Sequence, residues 1–140
     1  MNMKIKISPA IKNLNEVKSF IEENFKSWGT PYMDMMDIIL AVDESITNII
    51  THGYDEPSDK ESIELFIEQK GNIVTIKITD NGKKYDFHAT PAPDIRKNLS
   101  GDKRGGFGVH LVKSVMNHVE HTWNNGKNTL IFTKIITPVT

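Results

Sequence analysis

The chain has 140 residues, with 17 Lys+Arg against 18 Asp+Glu, 38% apolar residues and no cysteine. A formal charge of −1 lacks the clustered cations that phosphate-backbone affinity needs, so nucleic acid is not an expected partner. Absence of cysteine excludes disulfides, a thiolate nucleophile and cysteine-based metal centres, and no stretch approaches the roughly 18 apolar residues of a membrane span. The expectation is a single cytoplasmic domain over residues 1–140. The N-terminus alternates Lys4 and Lys6 with Met3, Ile5 and Ile7 where a signal peptide would be uniformly apolar, so the whole chain is taken as the mature protein.

That alternation predicts a first strand, interrupted at Ser8-Pro9. Leu14, Val17, Phe20, Ile21, Phe25 and Trp28 then recur at helical spacing and stop at Gly29, a packing helix. Thr30-Pro31 reads as a capping hydroxyl followed by a residue suited to a first turn, opening a second helix from Tyr32 to about His52 that Gly53 closes. This helix is apolar over most of its circumference, yet Asp37, Glu44, Asn48 and His52 follow at offsets of seven, four and four. Such a stripe is either a solvated face or the wall of a ligand cleft.

Residues 62–69 and 73–79 alternate as two strands of a hairpin, and the second runs into Asp80-Asn81-Gly82. Residues 86–106 lose periodicity and hold Pro91, Pro93, Gly101 and Gly105, the pattern of a long functional loop. Helical spacing resumes over 107–118, and strands over 119–123 and 128–136 turn about Asn124-Asn125-Gly126-Lys127. The order β, α, α, β, β, loop, α, β, β predicts an α+β fold, a two-layer α/β sandwich whose mostly antiparallel sheet is covered on one face by about three helices.

Three constellations bear chemistry. Glu44 and Asn48 stand one helical turn apart, a carboxylate able to take a proton and an amide oxygen suited to a hard cation, though such pairs also occur on ordinary exposed helices. Asp80, ending an apolar strand, can accept a hydrogen bond from an exocyclic amine, and Gly82 can let a flat ring approach; the same residues also make a common turn. Gly105-Gly106-Phe107-Gly108 enters a helix with unobstructed backbone N–H groups, fitting either an anion site or a hinge.

In this order, the three sets resemble the nucleotide boxes of the GHKL ATPase/kinase superfamily, which share the Bergerat fold. The similarity is strongest to the RsbW-type anti-sigma factor serine-protein kinases. It runs through Leu40-Ala41-Val42-Asp43-Glu44-Ser45-Ile46-Thr47-Asn48, His52-Gly53-Tyr54, Asp80-Asn81-Gly82 with Tyr85-Asp86, the glycine cluster through Met116, and Asn128-Thr129-Leu130-Ile131-Phe132-Thr133-Lys134.

The resemblance implies a serine/threonine protein kinase using ATP and Mg²⁺. Glu44 would be the general base, Asn48 the Mg²⁺ ligand and Asp80 the adenine acceptor. Gly82 would admit the ring, and Gly105, Gly106, Phe107 and Gly108 would hold the phosphates beneath a lid over residues 86–105. Lys103 and Arg104 are further candidate phosphate contacts. The implied partners are a STAS-domain anti-sigma factor antagonist, a sigma factor or other regulator, and a second copy in a homodimer. A different class of function, a nucleotide-gated module that sequesters its partner without phosphorylating it, uses the same cleft. Phe87, where the family often has Pro, and Asn117, where an acidic residue is frequent, depart from the pattern outside the boxes and bear on partner choice. His52, His110 and His118 lack metal-ligand spacing.

Overall fold

Alternating apolar residues can be buried on one side only if the strands share a sheet, and a computed structural model describing residues 1–55, 61–84 and 111–136 shows that sheet. Among the described residues, β1 (Asn2–Ile7), β2 (Ile63–Lys70), β3 (Ile73–Asp80), β4 (His118–Asn124) and β5 (Lys127–Ile135) lie in the order β1-β2-β3-β5-β4, with every neighbouring pair antiparallel. Left-handed backbone turns two of these pairs: Gly71 (φ 57°) between β2 and β3, and Asn125 with Gly126 (φ 53° and 75°) between β4 and β5.

Period two places Ile63, Leu65, Ile67, Val74, Ile76, Ile78, Leu130 and Phe132 on one face, none more than 1% exposed. Onto it pack α1 (Leu14–Ser27), through Val17, Ile21 and Phe25, and α2 (Tyr32–Gly53), through Ile38, Val42, Ile46 and Ile49. Residues 111–115 are helical and contribute Val112 to the same core, followed by Met116. The opposite face carries Glu64, Phe66, Thr75, Lys77 and Ile131, all at least partly exposed. The expected two-layer α+β sandwich is therefore the architecture observed. No helix among the described residues is long and apolar enough to cross a membrane.

Local chemistry explains where the elements stop. α1 ends in a left-handed Gly29 (φ 74°), with Thr30 N–H bonded to Phe25 O and Gly29 N–H to Lys26 O, which satisfies two terminal carbonyls. Thr30 does not cap α2 as its sequence position suggests. Its hydroxyl instead donates to Gln69 Oε1 at the end of β2, and the first turn of α2 closes through Met35 N–H to Pro31 O (2.9 Å).

The third helix is also shorter at its C-terminal end than the spacing over 107–118 indicates. Asn117 N–H donates to Thr133 O (2.9 Å) and Asn117 Oδ1 accepts from Ile135 N–H (2.7 Å), so the edge of β5 captures the chain and His118 opens a strand. The expected start of that helix and the loop over 86–106 lie outside the described residues.

Candidate functional site

The inward-facing stripe of β5 is apolar in its middle and polar at both ends, and those of β2 and β3 each turn polar at their last position. On β3 the fourth inward position is Asp80, only 2% exposed, and directly across from it on β5 is Asn128, 0% exposed. Asp80 Oδ1 accepts from the Gly82 backbone N–H (2.9 Å) and from Asn128 Nδ2 (3.1 Å). Asp80 Oδ2 is buried with no hydrogen-bond partner among the described residues. Buried carboxylate oxygens in native proteins are nearly always satisfied, so this atom stands out as an acceptor open to a further donor.

Burial pushes the Asp80 carboxyl above its ordinary value, while the Asn128 and Gly82 hydrogen bonds and the nearby His121 act in the opposite direction.

The Asp80-Asn81-Gly82 turn is fastened to the C-terminus of α2. Tyr54 OH donates to Asn81 Oδ1 (2.8 Å) and accepts from Asn81 N–H (3.2 Å), and Lys83 N–H donates to Gly53 O (2.9 Å). Burial, with the Asp80 charge second, lifts the Tyr54 hydroxyl to about 12, so it stays a neutral donor. Gly82 has a role that ring access alone did not suggest: a Cβ there would lie 2.7 Å from Gly53 O and 3.1 Å from Gly53 C and Cα. Gly82→Ala is therefore expected to push the turn off the helix, lowering stability by about 1–3 kcal/mol. Thermal unfolding of the variant checks this, and an unchanged midpoint would show that the turn gives way freely.

Glu44 and Asn48 are half-buried on α2, on the same side of the helix as Asp37 because offsets of seven and four return to nearly one direction at 100° per residue. The four-residue polar stripe is nonetheless divided. Asp37 belongs to a cluster at the far end of the sheet, where Lys134 Nζ lies 3.3 Å from Asp37 and 3.9 Å from Asp34 and donates to Val115 O (2.8 Å). His52 is exposed. Glu44 and Asn48 remain as the pair with oxygen ligands suited to a hard cation, and among the described residues no group of three or more His, Asp or Glu side chains is placed to hold a metal. A Mg²⁺ ion fits this donor set only if phosphate and water oxygens complete its shell.

Gly105, Gly106, Phe107, Gly108, Lys103 and Arg104 lie outside the described residues. Asn128 and Lys134 were not singled out from the sequence for any role of their own, although both fall on the same strand parity as buried Leu130 and Phe132.

Comparison with known proteins places the chain in a family. The family model for the histidine kinase-like ATPase domain matches residues 7–134. The serine-protein kinase RsbW of Staphylococcus aureus, in several strains, is 30% identical over 99 residues, which make up 68% of this chain and 62% of that protein. The chain thus spans less than two thirds of the curated relatives it matches. The structure of the RsbU and RsbW domains of Rv1364c from Mycobacterium tuberculosis superposes with a TM-score of 0.72 at 18% identity, covering 97% of this chain and 32% of that one. The SiaB–SiaC complex from Pseudomonas aeruginosa gives a TM-score of 0.57 at 11% identity, covering 96% and 89%. At these identities the two structures speak for the fold. With a family match over almost its whole length and the same fold in solved relatives, the chain belongs to the histidine kinase-like ATPase domain family.

Proposed function

We propose that this chain works as one Mg²⁺·ATP-dependent serine/threonine protein kinase domain and as a regulatory switch. In that role it phosphorylates a STAS-domain antagonist and alternately holds a sigma factor or another regulator. The observation that carries this reading is Asp80 Oδ2, a buried acceptor without a donor at the end of β3, as the exocyclic amine of adenine requires. The family match and the serine-protein kinase name of the curated relatives support it.

In this reading Asp80 receives the adenine amine, Gly82 lies beside the ring, and Gly105, Gly106, Phe107 and Gly108 offer backbone N–H groups to the phosphates. Asn48 holds Mg²⁺ through its amide oxygen; the ion, when bound, neutralises phosphate charge. Glu44 takes the proton of the acceptor serine as the new oxygen–phosphorus bond forms and the bond to the β-phosphate oxygen breaks, releasing ADP.

Calorimetric titration of ATP, with Mg²⁺ and again with EDTA, tests the cleft in the wild type and in Asn48→Ala. Glu44→Gln tests the chemistry: ATP affinity should stay within about twofold while phosphotransfer to a STAS-domain acceptor falls by roughly 10²–10⁴. Transfer at the normal rate would overturn the assignment of Glu44. A partner held under Mg²⁺·ATP with its serine unmodified would make the chain a sequestering module, and absence of ATP binding in the wild type would remove the reading altogether.

A further inference from the structure

We infer that His121 and Asn128 are positioning residues for Asp80, fixing which carboxylate oxygen is presented to the bound base. This rests on the nucleotide reading above and extends it to residues on the two strands beyond β3. Asn128 Nδ2 is 3.1 Å from Asp80 Oδ1 and 2.9 Å from the Lys83 carbonyl oxygen. Both of those atoms are acceptors, so the amide NH₂ must face them and the orientation of the Asn128 side chain is settled by its neighbours.

The Asn128 oxygen is then turned toward His121 Nε2, 3.1 Å away. An amide oxygen only accepts, so His121 carries a proton on Nε2. Donation runs in one direction across three adjacent strands, from His121 on β4 to Asn128 on β5 to Asp80 on β3.

Register explains the reach. Asn128 is directly opposite Asp80, and His121 is opposite Leu130, one inward position along from Asn128 and therefore diagonal to it. A half-turn of the Asn128 amide would set its oxygen against two acceptors and its NH₂ against the His121 donor. His121 thus guards the orientation of Asn128. Asn128 joins the Gly82 N–H on the single oxygen Oδ1, and Oδ2 is the atom left without a donor. Asn128 also gives a desolvated carboxylate a second donor on Oδ1, which favours the ionised form that a base amine needs.

Two measurements test this on the intact protein. The first follows the Asp80 carboxyl carbon by NMR through a pH titration without nucleotide. Asn128→Ala should raise the Asp80 midpoint, His121→Phe should raise it less, and His121→Gln, which keeps a donor, should restore it. The second compares dissociation constants for ATP and for purine riboside triphosphate, which lacks the exocyclic amine. The wild type should prefer ATP by more than tenfold, Asn128→Ala should bring the ratio toward one, and His121→Phe should fall between.

Equal weakening of both nucleotides would mark Asn128 as merely structural, and an unchanged titration and ratio in both variants would overturn the relay. Should Asn128→Ala not fold, the His121→Phe and His121→Gln pair carries the test. If the wild type binds neither nucleotide, the functional reading fails while the titration still decides the relay.

Discussion

Asp80→Asn is expected to weaken ATP binding more than tenfold and to leave the protein at least as stable as the wild type at neutral pH. The substitution keeps Oδ1 for the Gly82 and Asn128 donors but replaces the unpartnered Oδ2 by an NH₂ group, so a base amine meets a donor where it needs an acceptor. Loss of a hydrogen bond to a charged group costs about 1.5–3 kcal/mol, or more than a factor of ten in affinity.

The stability half follows from the direction of the Asp80 shift. Burial raises the folded-state value, so as pH rises the unfolded chain loses this proton first, and the ionised carboxylate penalises the fold in full above the folded value. The penalty disappears as pH falls back below the ordinary carboxylate value near about 4. Scanning calorimetry should therefore show the gain of Asp80→Asn over the wild type to be largest near neutrality and to shrink on acidification. Undiminished ATP affinity in the variant would show that Oδ2 is not the acceptor.

Lys134→Met should be the most destabilising single change outside the apolar core. Lys134 is 8% exposed and joins three partners from two elements, Asp34 and Asp37 of α2 and the carbonyl of Val115, where the helical residues 111–115 end. Met keeps the apolar stem but leaves two carboxylates without this cation and a helix carbonyl without this donor. Breaking a buried ion pair from one side costs about 3–5 kcal/mol, and because Asp37 is partly solvated we place the loss at about 3 kcal/mol, roughly 10 °C in Tm for a chain of this size. Asp37→Asn in the Lys134→Met background should recover part of the loss, because it removes the charge left unpaired. A Tm within about 2 °C of the wild type would show that water replaces the lysine without penalty.

The strands and α2 were legible because burial on one face imposes a period on the sequence, as Ile63, Leu65 and Ile67 or Val74, Ile76 and Ile78 display. Asp80 was legible for the same reason, as a carboxylate closing an apolar strand. The end of the third helix was misread because Val115, Met116 and Val119 suit either a helix or a strand. What decides between them is the Asn117 hydrogen bonding to β5, a contact between segments that local spacing does not encode.

The roles of Asn128 and Lys134 were half visible. Their parity with Leu130 and Phe132 puts both on the core face, where a polar residue needs partners, but those partners lie far off in sequence, 48 positions in the case of Asp80. Asp37 shared a periodic stripe with Glu44 and Asn48 yet answers to a different neighbour, since helical spacing gives a direction and not what lies in that direction.

α2, about 33 Å long at 1.5 Å per residue, behaves mechanically as a beam supported at both ends. Near its first turns Asp34 and Asp37 reach Lys134, and at its last residue Gly53 is bound by the Lys83 N–H while Tyr54 grips Asn81. Glu44 and Asn48 sit in the span between these supports. A beam held this way resists tilting about either end, so the placement of the Glu44 and Asn48 backbones relative to Asp80 on the sheet is set, and its entropy lost, when the chain folds.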